Sequence, residues 1–373
     1  MLSEPLSRPA IRWLLLVVLY LLVAAASFSG YFSKWQFRDL EPKFALPGIL
    51  DGTAQRPFVY RQLLPAIANG VERALPAWAV ERLQTRLADV DNLYHHNPIA
   101  FFNPNATDVR NPQYALRYYA VYALSFTTLL LAIFVLRAVC IDMQANRIAA
   151  NLAPLAFAAI LPLTMTEGGY YYDLPELLFM ALAAWLAARG QVLWLIVMTA
   201  LATLNKESFL FFVLTLFPFL RNRLSVRTTV SVQLLLLVVA GVVNGVVKLK
   251  YTHNPGGMVE FHLMDNIRFL TRPWNYVRFE YNYGVMTTKG FNLINLFVVA
   301  VLVRAAWSKL SPVVRQHLKI ATLINVPLYL ALGFEDELRN FSMLYVGFVV
   351  ILCVNIATCL DSSYQERAGQ QPA

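Results

Sequence analysis

Ionisable side chains are scarce in this chain. They make up 14% of 373 residues, against 58% that are hydrophobic. With a mean hydropathy of +0.52, so many apolar residues cannot be hidden in one soluble core, and a lipid bilayer is the expected solvent. Cysteine is nearly missing, with three residues. Cys140 and Cys359 fall near the ends of apolar runs and Cys353 inside one, so no disulfide framework is expected. Histidine offers no zinc spacing: His95 and His96 are adjacent, and His253 and His262 are far from any metal-ligand pattern. No Gly-Lys-Ser/Thr phosphate loop or nucleotide fingerprint occurs, which sets aside ATP-driven transport. There is also no repeat, low-complexity tract or soluble domain with its own core.

What the chain does have is ten apolar stretches, near 12–32, 114–136, 148–166, 174–188, 191–204, 208–220, 229–247, 291–306, 318–333 and 341–359. About 20 such residues in a helix cross a hydrocarbon layer of ~30 Å. The expected fold is all-α, a polytopic membrane bundle of about ten transmembrane helices. It forms a single domain over 1–361, with a short polar tail at 362–373. Arg8 and Arg12 precede the first stretch, so the positive-inside rule puts the amino terminus in the cytoplasm, and alternation puts the carboxyl terminus there too.

On that topology the short cytoplasmic segments carry Arg137, Arg147, Arg189, Arg221, Arg223, Arg227, Arg304, Lys309, Arg315, Lys319 and Arg367. Only Glu4, Asp142, Asp361 and Glu366 oppose them, and every other carboxylate lies outside. The net charge of +9 is therefore a topology signal and implies no nucleic-acid partner. Two points stay open. Residues 191–220 could be one span with Asn205-Lys206-Glu207 at mid-depth, a costly placement that would invert everything after it. The first stretch, ending Ala24-Ala25-Ala26-Ser27, could instead be a signal peptide, although it stays apolar through Phe28, Tyr31 and Phe32.

Two long external segments, 33–113 and 248–290, are the first and fourth external loops. From Pro57 to Leu87, apolar residues recur at helical spacing with charges between them, and Pro76 divides the run, predicting amphipathic helices in the membrane interface. Interfacial helices are expected in the fourth loop as well. Its run Trp274, Tyr276, Phe279, Tyr281 and Tyr283 reads as an aromatic belt or as a groove for a lipid tail or sugar.

Five charged motifs fall in these loops. Asp39 and Glu41 stand just beyond the first span, where two carboxylates can share a divalent cation or act as general base and helper. Asp51 precedes a Gly52–Pro57 turn into a helix start, with Arg56 and Arg61 suited to a phosphate. Asp173 and Glu176 follow two glycines and three tyrosines; they can cap the fourth span or bind sugar hydroxyls. Lys206 with Glu207, and Glu337 with Arg339, sit in tight turns, either as internal ion pairs or facing a cavity.

The motif Asp39-x-Glu41 after span one, the turn at Gly52 and the stretch Pro57-Phe-Val-Tyr-Arg61 together resemble the mannosyltransferase-like branch of the GT-C class of membrane glycosyltransferases. The likeness covers the first 65 residues and the loop layout. Asp-x-Glu replaces the commoner Asp-x-Asp, and a soluble C-terminal domain is missing. The resemblance implies transfer of a sugar from a polyprenyl-phosphate donor to a glycan, lipid or protein acceptor on the non-cytoplasmic face, with inversion. It implies Asp39 as general base, Glu41 assisting or holding Mg or Mn as a cofactor, and Arg61, Lys206 and Arg339 neutralising the departing phosphate. Asp173 and Glu176 would then hold sugar hydroxyls. The expected location is a bacterial inner membrane. The competing readings are a cell-envelope polysaccharide polymerase or ligase, and a flippase for a lipid-linked substrate.

Overall fold

A computed structural model describes residues 8–89, 91–143, 146–282 and 284–369, with side chains over 10–361 of that range. Glu4, Tyr283 and the side chains of Arg8, Glu366 and Arg367 lie outside the described residues.

Helix α1 (Arg8–Trp35) buries Tyr20, Ala24, Phe28, Tyr31 and Phe32 at three- and four-residue spacing while Leu14, Leu15, Val18 and Leu22 stay exposed. One stripe meets protein and the rest meets lipid. The first loop carries α2 (Leu46–Leu50), α3 (Leu63–Ala74), α4 (Ala77–Leu87), α5 (Leu93–His96) and α6 (Pro98–Phe102). Pro76 stands at the start of α4 and separates it from α3. The bundle continues with α7 (Pro112–Met143), α8 (Arg147–Thr164), α9 (Asp173–Ala188), α10 (Val192–Asn205), α11 (Phe209–Thr215), α12 (Phe217–Arg221) and α13 (Val226–Lys250). After the fourth loop come α15 (Leu293–Ala306), α16 (Pro312–Leu332) and α17 (Tyr345–Gly369). The fourth loop itself holds α14 (Leu263–Leu270).

Polar caps set several helix starts: the side chains of Asn146, Ser225, Asn292 and Ser311 accept from first-turn amides of α8, α13, α15 and α16. The centre of the bundle is α9, buried at all but two of its 16 positions. Its Ala181, Ala183, Ala184, Ala187 and Ala188 let neighbouring helices approach closely. By contrast α13 and α15 expose Val238, Val242, Val246, Leu249, Leu293 and Phe297.

Five helical runs are long and apolar enough to cross a membrane: α1, α7, α8, α13 and Leu338–Asp361. Among the described residues, α10, the α11–α12 pair and α15 are shorter apolar helices.

Residues 191–220 are a hairpin. The chain breaks at Lys206–Ser208 beside the first turn of α9, with Lys206 against Asp173 and Glu176. It then returns so that Arg223 Nε donates to Ala188 O at the far end of α9 (3.1 Å).

The fourth loop departs from the all-helical expectation. Strand β1 (Phe279–Asn282) pairs antiparallel with β2 (Val285–Thr288), Phe279 opposite Thr288 and Tyr281 opposite Met286. Phe279-Glu280-Tyr281-Asn282 alternates with period two, a strand's periodicity, and Gly284 at φ +79° serves the turn. Trp274 and Tyr281 of the aromatic run are exposed. Asn254 Nδ2 donates to Gly52 O (2.8 Å) and Ala54 O (2.9 Å), so both long loops share one end of the bundle.

A labelling test follows. With the exposed Cys359 replaced by Ser, single cysteines at Glu41 and Val259 should react with an impermeant maleimide from the same side of a sealed vesicle, and one at Arg221 from the other. Labelling of residues 41 and 259 from opposite sides would break this arrangement.

Candidate functional site

Three chain segments bring charge together at the loop end. Asp173 and Glu176 lie in the first turn of α9, and Gly168 and Gly169 precede them where a Cβ would come within 2.8 Å of Glu337 Oε1 and 2.6 Å of the Trp35 ring. Only glycine lets that loop pass. Lys206 leaves α10 in an extended conformation (φ −156°, ψ 127°), which sends its side chain to α9 and that of Glu207 elsewhere. Lys206 Nζ is 3.3 Å from Asp173 Oδ1 and 2.7 Å from Glu176 Oε2. Arg339 NH1 is 3.0 Å from the same Asp173 oxygen, and its Nε and NH2 donate to Glu337 Oε1 at 2.9 and 2.5 Å.

The remaining carboxylate oxygens are also engaged. Tyr170 N donates to Asp173 Oδ2 (3.0 Å), Ser208 and Ser342 to Glu176 Oε1 (3.0 and 3.1 Å), and Asn340 Nδ2 to Glu337 Oε2 (2.6 Å). All five ionised residues are at most 8% exposed. The cluster is closed, and the sequence neighbours Lys206 and Glu207 do not pair. Asp173 is not the capping residue of α9, a position held by Tyr172; its carboxylate spans the preceding turn and two cations.

Next to this cluster is an open one. Arg61 NH2 donates to Glu207 Oε1 (2.7 Å), and its guanidinium lies 4.9 Å from the Tyr172 ring centre and 5.2 Å from that of Phe58. Its Nε and NH1, and Glu207 Oε2, are buried with no partner. A buried donor left unmet costs about 1–3 kcal/mol.

Arg38 adds a cation that the motif reading passed over. Residues 36, 38 and 40 alternate into positive φ (46°, 62° and 67°), a strained turn for side-chain-bearing residues. It stacks Arg38 against Trp35, Phe44 and Tyr170 at 5.0, 4.9 and 5.3 Å. No carboxylate pairs with it among the described residues.

The same turn carries Asp39 inward and leaves Glu41 exposed. Asp39 Oδ2 accepts from Asp108 N (2.9 Å), and Tyr118 OH donates to Oδ1 (3.1 Å). Burial raises the Asp39 carboxyl above its ordinary value, against the pull of those hydrogen bonds. Asp108, absent from the motif reading, is pushed up to about 7, first by burial and then by the Asp39 charge. Its Oδ2 is buried without a partner. The signal for Asp108 was weak: one acid at the start of a turn, 69 residues from its partner.

Asp51 and Arg56 join neither cluster. Asp51 accepts from Tyr114 OH (2.5 Å) and Arg117 NH1 (3.3 Å), and Arg117 also meets Glu72 (3.2 Å), tying α3 to α7. This is a structural staple. Arg56 NH2 donates to Gly256 O (2.6 Å), linking the two long loops. Glu41 has no salt-bridge partner, and no group of three metal-ligating side chains occurs among the described residues.

No family model, curated protein or solved structure matches the chain.

Removing Lys206 leaves Glu176 buried without a cation and Asp173 with Arg339 alone. Lys206→Met should therefore cost about 3–5 kcal/mol, read as an early unfolding midpoint in detergent, whereas exposed Glu41→Gln should stay within about 0.5 kcal/mol. A second expectation concerns pH. Because Asp108 is raised from 3.8 to about 7, the native state holds its proton across that window. Its contribution to stability is fully present below 3.8, falls as pH rises towards 7 and is level above. Asp108→Asn should flatten the slope of the midpoint between those pH values, and an unchanged slope would remove Asp108 as its source.

Proposed function

We propose that this protein is a GT-C-type membrane glycosyltransferase that moves a sugar from a polyprenyl-phosphate donor to an acceptor at the loop end of the bundle. On this reading all ten apolar helical segments span or partly span the bilayer, both termini are cytoplasmic, and the loop end faces outward. The observation that supports it best is that the strained turn which turns Arg38 towards Tyr170 also carries Asp39 inward against Asp108, whose amide donates to it. Acids raised by burial and guanidinium groups with unmet N–H donors suit glycosyl transfer to a hydroxyl.

In the proposed step an acceptor hydroxyl gives its proton to Asp39 while its oxygen forms a bond to the anomeric carbon. The bond from that carbon to the phosphate oxygen breaks on the opposite face, so configuration inverts. Charge gathers on the departing phosphate, and Arg61 and Arg38 meet it. Arg61 retains unmet N–H groups at Nε and NH1, and its stacking on Phe58 and Tyr172 fixes the direction of its fork. Lys206 and Arg339 are already spent on Asp173, Glu176 and Glu337. Those five residues shape the floor beneath the reaction instead of touching its charge. Asp108, protonated below about pH 7, limits repulsion around Asp39. No step runs through a metal.

The test is transfer by purified protein in nanodiscs from a panel of polyprenyl-phosphate sugars. Asp39→Asn should lower the rate by about 10²–10⁴, with expression and unfolding midpoint retained. Asp51→Asn should cost stability instead. The wild-type pH–rate profile should bend near 7 and lose that bend in Asp108→Asn. Transfer that survives Asp39→Asn overturns the assignment of the base, and lack of transfer from every donor overturns the class.

A further inference from the structure

Away from the acid pair, α4 forms one wall of a shallow open cavity of about 810 Å³, lined by Trp78, Glu81, Arg82, Thr85, Arg86, Asp89 and His96. The first five recur at three- and four-residue spacing, one stripe of the helix, with Asp89 just past its end, while Val80, Gln84 and Leu87 on its other side are half-buried. No residue of α4 is fully buried. Trp78 is 68% exposed. Arg82, Arg86 and Glu81 make no side-chain ion pair among the described residues, while His96 Nδ1 meets Asp89 Oδ2 at 2.8 Å.

An exposed tryptophan beside arginines can be a membrane anchor. The charge here argues otherwise. Two guanidinium groups are balanced by two carboxylates, Glu81 on the helix and Asp89 just past its end, so the surface offers an anionic headgroup no net attraction. It presents donors and acceptors in alternation around one flat aromatic face. A pyranose ring has that complementarity, with apolar C–H faces for the indole and hydroxyls that both donate and accept.

The cavity is also wired to the acid pair. Buried Asn97 donates from Nδ2 to Leu87 O at the end of α4 (2.7 Å) and to Val109 O beside Asp108 (3.1 Å), while its Oδ1 accepts from Ala100 N (3.2 Å) and Tyr119 OH (2.9 Å).

We infer that the α4 cavity is a saccharide subsite, taking a neutral, hydroxyl-rich ring of the acceptor chain with Trp78 as its stacking platform. Only the role of that sugar as acceptor rests on the transferase reading; its binding does not.

The experiment is saturation-transfer NMR on the full chain in zwitterionic nanodiscs, with neutral tetrasaccharides of mannose, glucose and N-acetylglucosamine and one uronic-acid tetrasaccharide as probes. At least one neutral probe should bind, and Trp78→Ala or Glu81→Gln should weaken it about tenfold, the loss of ~1.4 kcal/mol expected for one stacking or bidentate contact. In parallel, brominated lipids should leave the fluorescence difference between wild type and Trp78→Phe unquenched. Quenching would place Trp78 in the membrane and overturn the inference, as would a panel in which no binding depends on Trp78 or only the acidic probe binds. Binding without transfer from any donor would sink the transferase reading and leave the subsite standing.

Discussion

Charge removed from water must find opposite charge, and in this protein that requirement organises the end of the bundle where the loops meet. Asp173 is the junction: one of its oxygens meets both Lys206 and Arg339, at 3.3 and 3.0 Å, and the other holds the turn that precedes α9. Each cation carries a second carboxylate, and hydroxyls and an amide take up the remaining oxygens. Taken singly, a buried ion pair adds little to stability, because desolvation offsets attraction. Its value lies in register. Segments 170–176, 206–208 and 337–342 have one mutual placement in which all five charges are met.

Around that closed cluster the two long loops are tied down separately. Lys34 meets Glu280 at 3.0 Å, Lys289 meets Glu167 at 2.6 Å, and Arg278 pairs with Asp336, whose carboxylate also accepts from Phe291 N. Gly290 packs directly against that carboxylate and has no room for a side chain. The fourth loop is thus strapped over the second and fifth, while Arg56 and Asn254 hold it to the first. Buried side-chain atoms without a hydrogen-bond partner occur throughout the bundle, and among those at the loop end are Arg38 Nε, Arg61 Nε and NH1, Glu207 Oε2 and Asp108 Oδ2.

The helices were legible because length and hydropathy are local quantities. Each of the ten apolar stretches is helical in the structure, and the break after Asn205 lies where the charges are. The partners of those charges were not legible. Lys206 and Glu207 are adjacent yet point apart, because an extended residue sends successive side chains to opposite faces. Asp51 stood beside a motif suited to a phosphate, and its oxygens are instead spent on Tyr114 and Arg117, which only the packing of α7 against α3 supplies. The hairpin at 279–288 carried a period-two pattern that the surrounding aromatic richness masked.

Composition and periodicity, read along the chain, were sufficient to establish a helical membrane protein with its acidic residues clustered in certain loops, because bilayer thickness and helix geometry act on contiguous residues. Which of those residues meet was decided by tertiary structure alone. Asp39 reaches Asp108 across 69 positions, and Arg339 reaches Asp173 across 166. Coulomb attraction and desolvation depend on separation in space, which no spacing along the chain encodes.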